Sequence, residues 1–497
     1  MTGRTRIVGW GGVGTIGEER LAEELAKASE SVPLLRGLGR SYGDSAVPPP
    51  SQPTVLTTVL ADRILSFDPE TGLLCAEAGL SLAELNRLFL PRRFFVPVTP
   101  GTQFVTLGGM VASDVHGKNH HVEGAFGDHV EKLRIRVGSG SIVDCSQAEN
   151  SDLFEATIGG MGLTGHILEV TFRMCPIPSQ WIYQESEQVT DLDAMLNALD
   201  DAARHFPMTV AWIDCLTEGK AMGRGILYRG RWATTEEAPA QAPSPKLRLF
   251  VPFQFPSWAM SAQVVRLFNS AIYHSHVPRV KKGLVSPEAF FYPLDTIRDW
   301  NRIYGSRGFT QHQAVLPASA GRGAVRRFLE LLTSLKGASF LCVLKDCGKQ
   351  GRGMLSFPMP GTSIALDLAM LVMQSDASSG SAGELASETR VLTGLGRAVT
   401  LLDGVSPNDR RRLIARLRLR YARSVTLASL KRPLAALPAG AASRLCNFLV
   451  RAAQQDGVVS PAEVRALQKV FRALGKAPED VYHVLHNVDQ SRGQITP

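Results

Sequence analysis

Apolar and polar positions divide the chain into three stretches of different texture. Up to about Pro178, helical and strand signals alternate. In "EERLAEELAKASE" (Glu18 to Glu30), Leu21, Leu25 and Ala28 fall at helical spacing and predict an amphipathic helix. "SLAELNRLFL" predicts another, with Ser81 as N-cap and Glu84 at the capping-box position. "VPLLRGLGRSYGDSA" reads as a short strand running into a glycine loop. "FVTLGGMVASDVHG" reads as a strand or helix start broken by paired glycines, and "HILEVTFRM" (His166 to Met174) alternates as a strand. From about Gln180 to Ala369, tryptophan, proline and aromatic clusters such as "FVPFQFPSW" and "FFYPLD" predict a second α+β domain with an aromatic-rich sheet. "QSDASSGSAGE" (Gln374 to Glu384) has linker composition. The remainder is helical in pattern. Ser406, Pro407 and Asp409 open one helix, while Ser460, Pro461 and Glu463 open another that Gly475 suits as a stop.

The expected organisation is therefore α+β. It has a first domain over 1–178, a second over 179–370, a linker over 371–400 and an all-α region over 401–497. With 497 residues, 44% of them hydrophobic, the chain can bury large cores. Its net charge of +8 is local, because residues 401–497 hold 16 basic and 7 acidic side chains and the rest is close to neutral. The body is thus not a nucleic-acid binder by charge. Seven scattered cysteines without CxxC spacing indicate neither a zinc ribbon nor a disulfide framework. No apolar run reaches the length of a membrane span, and the first residues lack a signal-peptide core. A cytoplasmic protein is expected.

Glycine clusters carry the candidate chemistry. Gly9, Gly11 and Gly14 match G-x-G-x-x-G, but no full strand precedes them and no acidic residue follows at a strand end, so a loop is expected. "RGLGRSYGD" (Arg36 to Asp44) is better placed: Gly37, Gly39 and Gly43 let backbone N–H groups approach an anion, and Arg36 or Arg40 can add charge. A second cluster, "PVTPGTQFVTLGGMVASDVHGKNHH" (Pro97 to His121), offers Gly101, Gly108, Gly109 and Gly117. Its three histidines admit a metal site, a polar turn or a ligand-contacting loop. Gly117 and Asn119 disfavour the helix that would align His116 with His120, and no H-E-x-x-H arrangement is present, so no metal is expected.

Taken together, "RGLGRSYGD", "PGT", "VTLGG", "HGKNHH" and "GLTG", followed by "WNRIYG", "GFTQHQ", "SFLCVLK" and "LSFPMPG", resemble the vanillyl-alcohol oxidase/p-cresol methylhydroxylase flavoprotein family over about Val8 to Leu368. The resemblance implies a flavin domain, a substrate or cap domain and non-covalent FAD. It assigns the pyrophosphate to Arg36, Gly37, Leu38, Gly39, Arg40, Ser41, Tyr42, Gly43 and Asp44. It assigns the flavin to Gly101, Thr106, Leu107, Gly108, Gly109, His116, Gly117, Lys118 and Asn119, and the adenine end to the backbone of Ile167. On the cap, Trp212, Phe291, Gln311, Gln313 and Lys345 match substrate-pocket positions, and Lys345 and His116 are the expected catalytic residues. Phe291 stands where a tyrosine is usual, and Ala365 where some members have a cysteine. The branch it is most similar to implies oxidation of the 2-hydroxyl of a polyprenyl-phosphate pentose, with a separate reductase completing an epimerisation in cell-wall arabinan synthesis.

After Leu368 the resemblance ends. The family's returning tail, with its tyrosine and lysine near the flavin, has no counterpart. That leaves open a non-catalytic flavin- or partner-binding protein, or an oxidase of a soluble sugar or alditol. Residues of about 440–490 instead resemble the TerB-like helical module. "DGVVSPAE" imitates half an EF-hand loop, but Ala452 and Gln454 stand where carboxylates are needed. The arginine-rich helix expected from Pro407 to about Val425 suggests peripheral membrane contact through the tail.

Overall fold

A computed structural model describes residues 4–244, 249–334 and 339–369. In the C-terminal part it describes 443, 446, 449–450 and 461–484. The chain divides into two compact units, Met1–Met370 and Leu371–Pro497.

In the first unit the N-terminal segment makes a four-stranded sheet. Thr5–Val8 and Gly14–Leu21 form a hairpin, and the latter strand runs parallel to Thr54–Thr57, which is flanked by Leu35–Arg36. The helix expected over Glu18 to Glu30 is thus a strand up to Leu21, and only Leu25–Ala28 is helical. Tertiary pairing wins over local periodicity: the Glu18 N–H donates to the Pro53 carbonyl, and Gly17 lies so close to that carbonyl that a Cβ would stand 2.4 Å from it. "GWGGVG" is the hairpin turn, with Gly12 at φ +97°. Gly11 lets the turn press against Tyr42 and Phe309, whose carbonyls a Cβ would meet at 2.2 and 2.3 Å.

A five-stranded sheet follows, in the order Ile64–Phe67, Leu73–Glu77, Gly165–Arg173, Val130–Val137 and Ile142–Ser146. Helix Leu82–Phe89 starts as the sequence predicts, with the Ser81 hydroxyl accepting from the Glu84 N–H. The Glu84 carboxylate pairs with Arg87. "VTLGGMVA" resolves into helix Leu107–Ala112, capped by Thr106. These elements enclose one core, which the aromatic run Phe290–Tyr292 from the second half of the chain also enters.

The second half is built on a seven-stranded sheet in the order Val280–Val285, Ile182–Val189, Gly225–Trp232, Met208–Ile213, Cys342–Cys347, Gly361–Ala369 and Phe309–Pro317. Helices Leu192–His205 and Gly321–Ser334 bury Met195, Leu199, Val325 and Leu329 in a separate core on this half. Trp10 and Tyr42 from the N-terminal loops pack against that core.

In the second unit, helix Pro461–Ala473 is present and Gly475 follows it at φ +71°, the left-handed stop expected there. Phe471, Leu467 and Leu474 pack with Cys446, Val450 and Val481. The linker over 371–400, the arginine-rich helix and the "DGVVS" loop lie outside the described residues.

The two halves of the first unit are cross-tied at Asp295. Its carboxylate accepts from the Gln103 N–H and the Thr102 hydroxyl, both at 2.8 Å, and fixes the loop that carries Gly101. Asp295→Ala leaves the buried Gln103 N–H without its acceptor. It should lower stability by about 1–3 kcal/mol, read as a fall in the denaturant midpoint, and it should also weaken cofactor retention.

Candidate active site

A cavity of about 1180 Å³ lies between the glycine loops and one face of the seven-stranded sheet. Side chains alternate across a strand, so Gln184, Val210, Trp212, Tyr228, Val343, Lys345, Ala365, Gln311 and Gln313 share the face that lines it. Register brings them together: Trp212 is opposite Val343, Val343 opposite Ala365, and Ala365 opposite Gln313.

His116 meets this face from the other side. Its Nδ1 lies 3.3 Å from Lys345 Nζ, and its Nε2 lies 3.1 Å from the Gln313 amide, which also bonds the Ser363 hydroxyl. Phe357 stacks on the imidazole at 5.7 Å. Burial, reinforced by Lys345, keeps this imidazole neutral, far below its ordinary pKa. Burial also lowers Lys345. Lys118 donates to the Phe290 carbonyl and packs over the Phe290 ring, and burial together with Lys345 pushes it down to about 7. Each of these three side chains keeps some exposed surface and lines the cavity. Among the described residues neither amine is in a salt bridge.

The other histidines of "SDVHGKNHH" point to separate partners. His120 Nδ1 accepts from the Gly348 N–H, and burial lowers its pKa to about 4. His121 bonds the Phe206 carbonyl. Among the described residues, no group of three or more His, Cys, Asp or Glu could hold a metal. Asp114, at φ +40°, accepts from the Gly127 N–H at 2.7 Å and from the Ser356 hydroxyl, tying the His116 loop to the segment that carries Phe357.

Of the glycine-loop residues expected at the cofactor, Gly37, Leu38, Gly39, Arg40, Ser41 and Tyr42 line the cavity, as do Gly101, Thr106, Gly108, Gly109, Gly117 and Ile167. Arg36, Gly43, Asp44, Leu107 and Asn119 do not. The Arg36 guanidinium donates to the Val8 and Ala46 carbonyls at 2.8 and 2.9 Å, and so braces the loop from behind. Asp44 is exposed, and Leu107 is buried in the core. Asn119 donates to the Pro97 carbonyl. Arg40 instead faces the cavity, held over the Trp10 ring at 3.9 Å.

Phe291 lines the cavity while stacking on Phe95 at 5.3 Å. The Trp212 indole N–H donates to the Phe340 carbonyl. Gln311 donates to Asp367, whose carboxyl is pushed up to about 7 by burial. Asp367, Ser363 and Phe357 are given no role by the sequence. The one available signal was that Gln311, Gln313 and Lys345 each need a buried polar neighbour.

FAD fits this cavity. Gly101 and Gly162 present bare backbone to it, since a Cβ on either meets no atom within 4 Å, and a Cβ on Gly109 meets only the Thr106 hydroxyl. Backbone left open in this way admits a flat ring and phosphates at contact distance. The volume exceeds the ~300–1,000 Å³ of ordinary ligand pockets and leaves room for a second ligand.

Comparison with known proteins agrees. Residues 17–146 match the FAD binding domain family. The decaprenylphosphoryl-β-D-ribose oxidase of Mycolicibacterium smegmatis is 32% identical over 384 residues, which cover 73% of this chain and 82% of that protein. L-gulonolactone oxidase of Bos taurus is 30% identical over 141 residues, 28% of this chain and 31% of that one. The solved structure of a single-residue variant of Physcomitrella patens BBE-like 1 shares the fold, with a TM-score of 0.51, 12% identity and coverage of 71% of this chain and 76% of that chain. Helices and sheets arranged on an FAD-binding domain, with an oxidase relative over 73% of the chain, make the protein an FAD-dependent oxidoreductase, and the chain belongs to the decaprenylphosphoryl-β-D-ribose oxidase family.

Proposed function

We propose that the protein oxidises the 2-hydroxyl of a polyprenyl-phosphate pentose, of the decaprenylphosphoryl-ribose type, to a ketone that a separate reductase turns into the arabinose epimer. One observation carries this reading: two amines of lowered basicity, Lys345 and Lys118, line a cavity whose remaining wall is largely apolar. Such a cavity suits a ligand that is anionic at one point and hydrocarbon elsewhere. The similarity to the mycobacterial oxidase along both halves of the chain supports it.

The loop from Gly37 to Tyr42, Gly101, Thr106, Gly108, Gly109, Gly117 and Ile167 would hold the cofactor. Bound FAD supplies the oxidant, accepting hydride from the carbinol carbon. Lys345 takes the hydroxyl proton. Its contact with His116 Nδ1 at 3.3 Å fixes its rotamer, and burial lowers its proton affinity. Gln313 holds the imidazole at its other nitrogen, and Ser363 holds Gln313. Trp212 and Phe291 shape the sugar's pocket, and Gln311, anchored on Asp367, offers the remaining polar contact. The partial similarity to L-gulonolactone oxidase favours a second reading, oxidation of a soluble sugar or its lactone. Anaerobic bleaching of the flavin separates the two: only the lipid-linked pentose reduces it on the first reading, and free sugars or lactones do on the second.

Lys345→Met should slow substrate-dependent flavin reduction by about 10²-fold or more while the flavin content is unchanged. Reduction at the parent rate removes Lys345 from the chemistry. Because His116 is taken as a contact and not an attachment point, acid precipitation should release the flavin into the supernatant. Flavin retained on the pellet contradicts this.

The Lys118 pKa near 7 gives a pH test with a definite sign. Above that pH the free protein must take up a proton to present an ammonium to an anionic substrate. The apparent Kd should therefore rise with pH above about 7, by up to about tenfold per pH unit. Lys118→Met should bind more weakly and lose this slope.

A further inference from the structure

Residues 238–287 hold no aspartate or glutamate in 50 positions but six basic residues: Lys246, Arg248, Arg266, Arg279, Lys281 and Lys282. The same stretch contains much of the exposed aromatic surface. Phe250 is 54% exposed, Phe253 62%, Trp258 67% and Leu267 73%. Lys246 and Arg248 lie outside the described residues; the exposed side chains belong to connected elements. Strand Leu249–Phe250 pairs with Ile297–Arg298, and the Phe255 N–H donates to the Arg302 carbonyl. The single turn Ser257–Met260 leads into helix Ala262–Ser275. That helix buries Val265, Asn269 and Tyr273; Phe268 and Ile272 flank this face and stay partly open toward the cavity, while Leu267 points away from it into solvent.

A large apolar patch bordered by basic residues marks an interaction surface. Two features select its occupant. The unpaired charge is positive: Lys282 and Arg279 are tied to Glu185 and Glu187, whereas Arg266 and Arg298 are exposed without an ion-pair partner among the described residues. The patch is also continuous with the active site, since Phe268, Ile272 and Arg298 line the cavity. Exposed tryptophan and phenylalanine beside unpaired arginine are suited to the boundary between headgroups and acyl chains of an anionic bilayer.

We propose that this face, residues 249–258 with Leu267, Phe268 and Ile272, seats the protein on an anionic lipid surface and sets the mouth of the cavity at headgroup level. Its purpose rests on the lipid-linked reading of the substrate, because a polyprenyl chain can then stay in the membrane while the sugar enters. The binding itself does not depend on that reading.

The test uses the full-length holoprotein and vesicles without substrate, made of phosphatidylcholine alone or mixed equally with phosphatidylglycerol. The parent should sediment with the mixed vesicles and be released by salt. A Phe253→Ser, Trp258→Ser double variant, and separately Leu267→Gln, should partition roughly tenfold less, with flavin content unchanged. Brominated lipid should quench part of the parent's tryptophan fluorescence, and that part should be absent in Trp258→Phe. A parent that ignores both vesicles overturns the proposal and leaves the face to a protein partner. Variants that sediment like the parent also overturn it, because binding then resides elsewhere, as in the arginine-rich tail. Vesicle binding by a protein whose flavin is not reduced by a polyprenyl-phosphate pentose upholds the surface and rejects the substrate reading.

Discussion

Two lysine amines and an imidazole are partly withdrawn from water at one seam, with no carboxylate paired to either amine among the described residues. Charge in such a place is costly, and the protein meets the cost by lowering proton affinity: His116 is neutral and Lys118 titrates near 7. Groups poised in this way are reactive only if they cannot swing away. The surroundings of His116 supply that restraint from three directions, through Lys345, Gln313 and the face of Phe357.

The restraint draws on segments far apart in the chain. Lys345 and Gln313 come from strands of the cap sheet, and the imidazole comes from a loop after a short helix of the flavin side. Buried carboxylates lock the two sides together, Asp114 to Ser356 and Asp295 to the loop of Gly101. Both have raised pKa values, chiefly through burial, and both receive hydrogen bonds that favour the charged form. Close backbone approach does the rest. The hairpin turn at Gly11 can lie against Tyr42 and Phe309 because it has no side chain there, so Trp10 reaches the place where it supports Arg40.

This arrangement explains the different fates of the arginines in "RGLGRSYGD". Arg36 and Arg40 lie four positions apart, and each could serve an anion equally well by sequence. Arg36 ends a strand and turns inward to carbonyls, while Arg40 emerges past Gly39, at φ +65°, into the cavity. At Phe291 the two roles fall on one side chain. Phe291 fills the flavin-side core and at once forms cavity wall, so its identity answers to two demands.

Much was legible in the chain itself. Motif order marked the flavin side, the Ser81 cap and the His166–Met174 alternation placed a helix and a strand, and glycine spacing marked loops that line the cavity. These features are local, set by φ, capping and side-chain period, and a sequence carries them directly. Other features were decided only in three dimensions. Residues Glu18 to Leu21 have helical spacing but form a strand, because the parallel partner Thr54–Thr57 outweighs local preference. "SDVHGKNHH" sends its histidines to three separate partners, because the cap sheet and the 348–357 segment arrive from elsewhere in the chain. The alternation of Gln311 with Gln313 could be read as a strand, but which face it shows, and that Lys345 and His116 meet there, depends on strand register. Register is fixed by pairing between distant segments, and no local pattern encodes it.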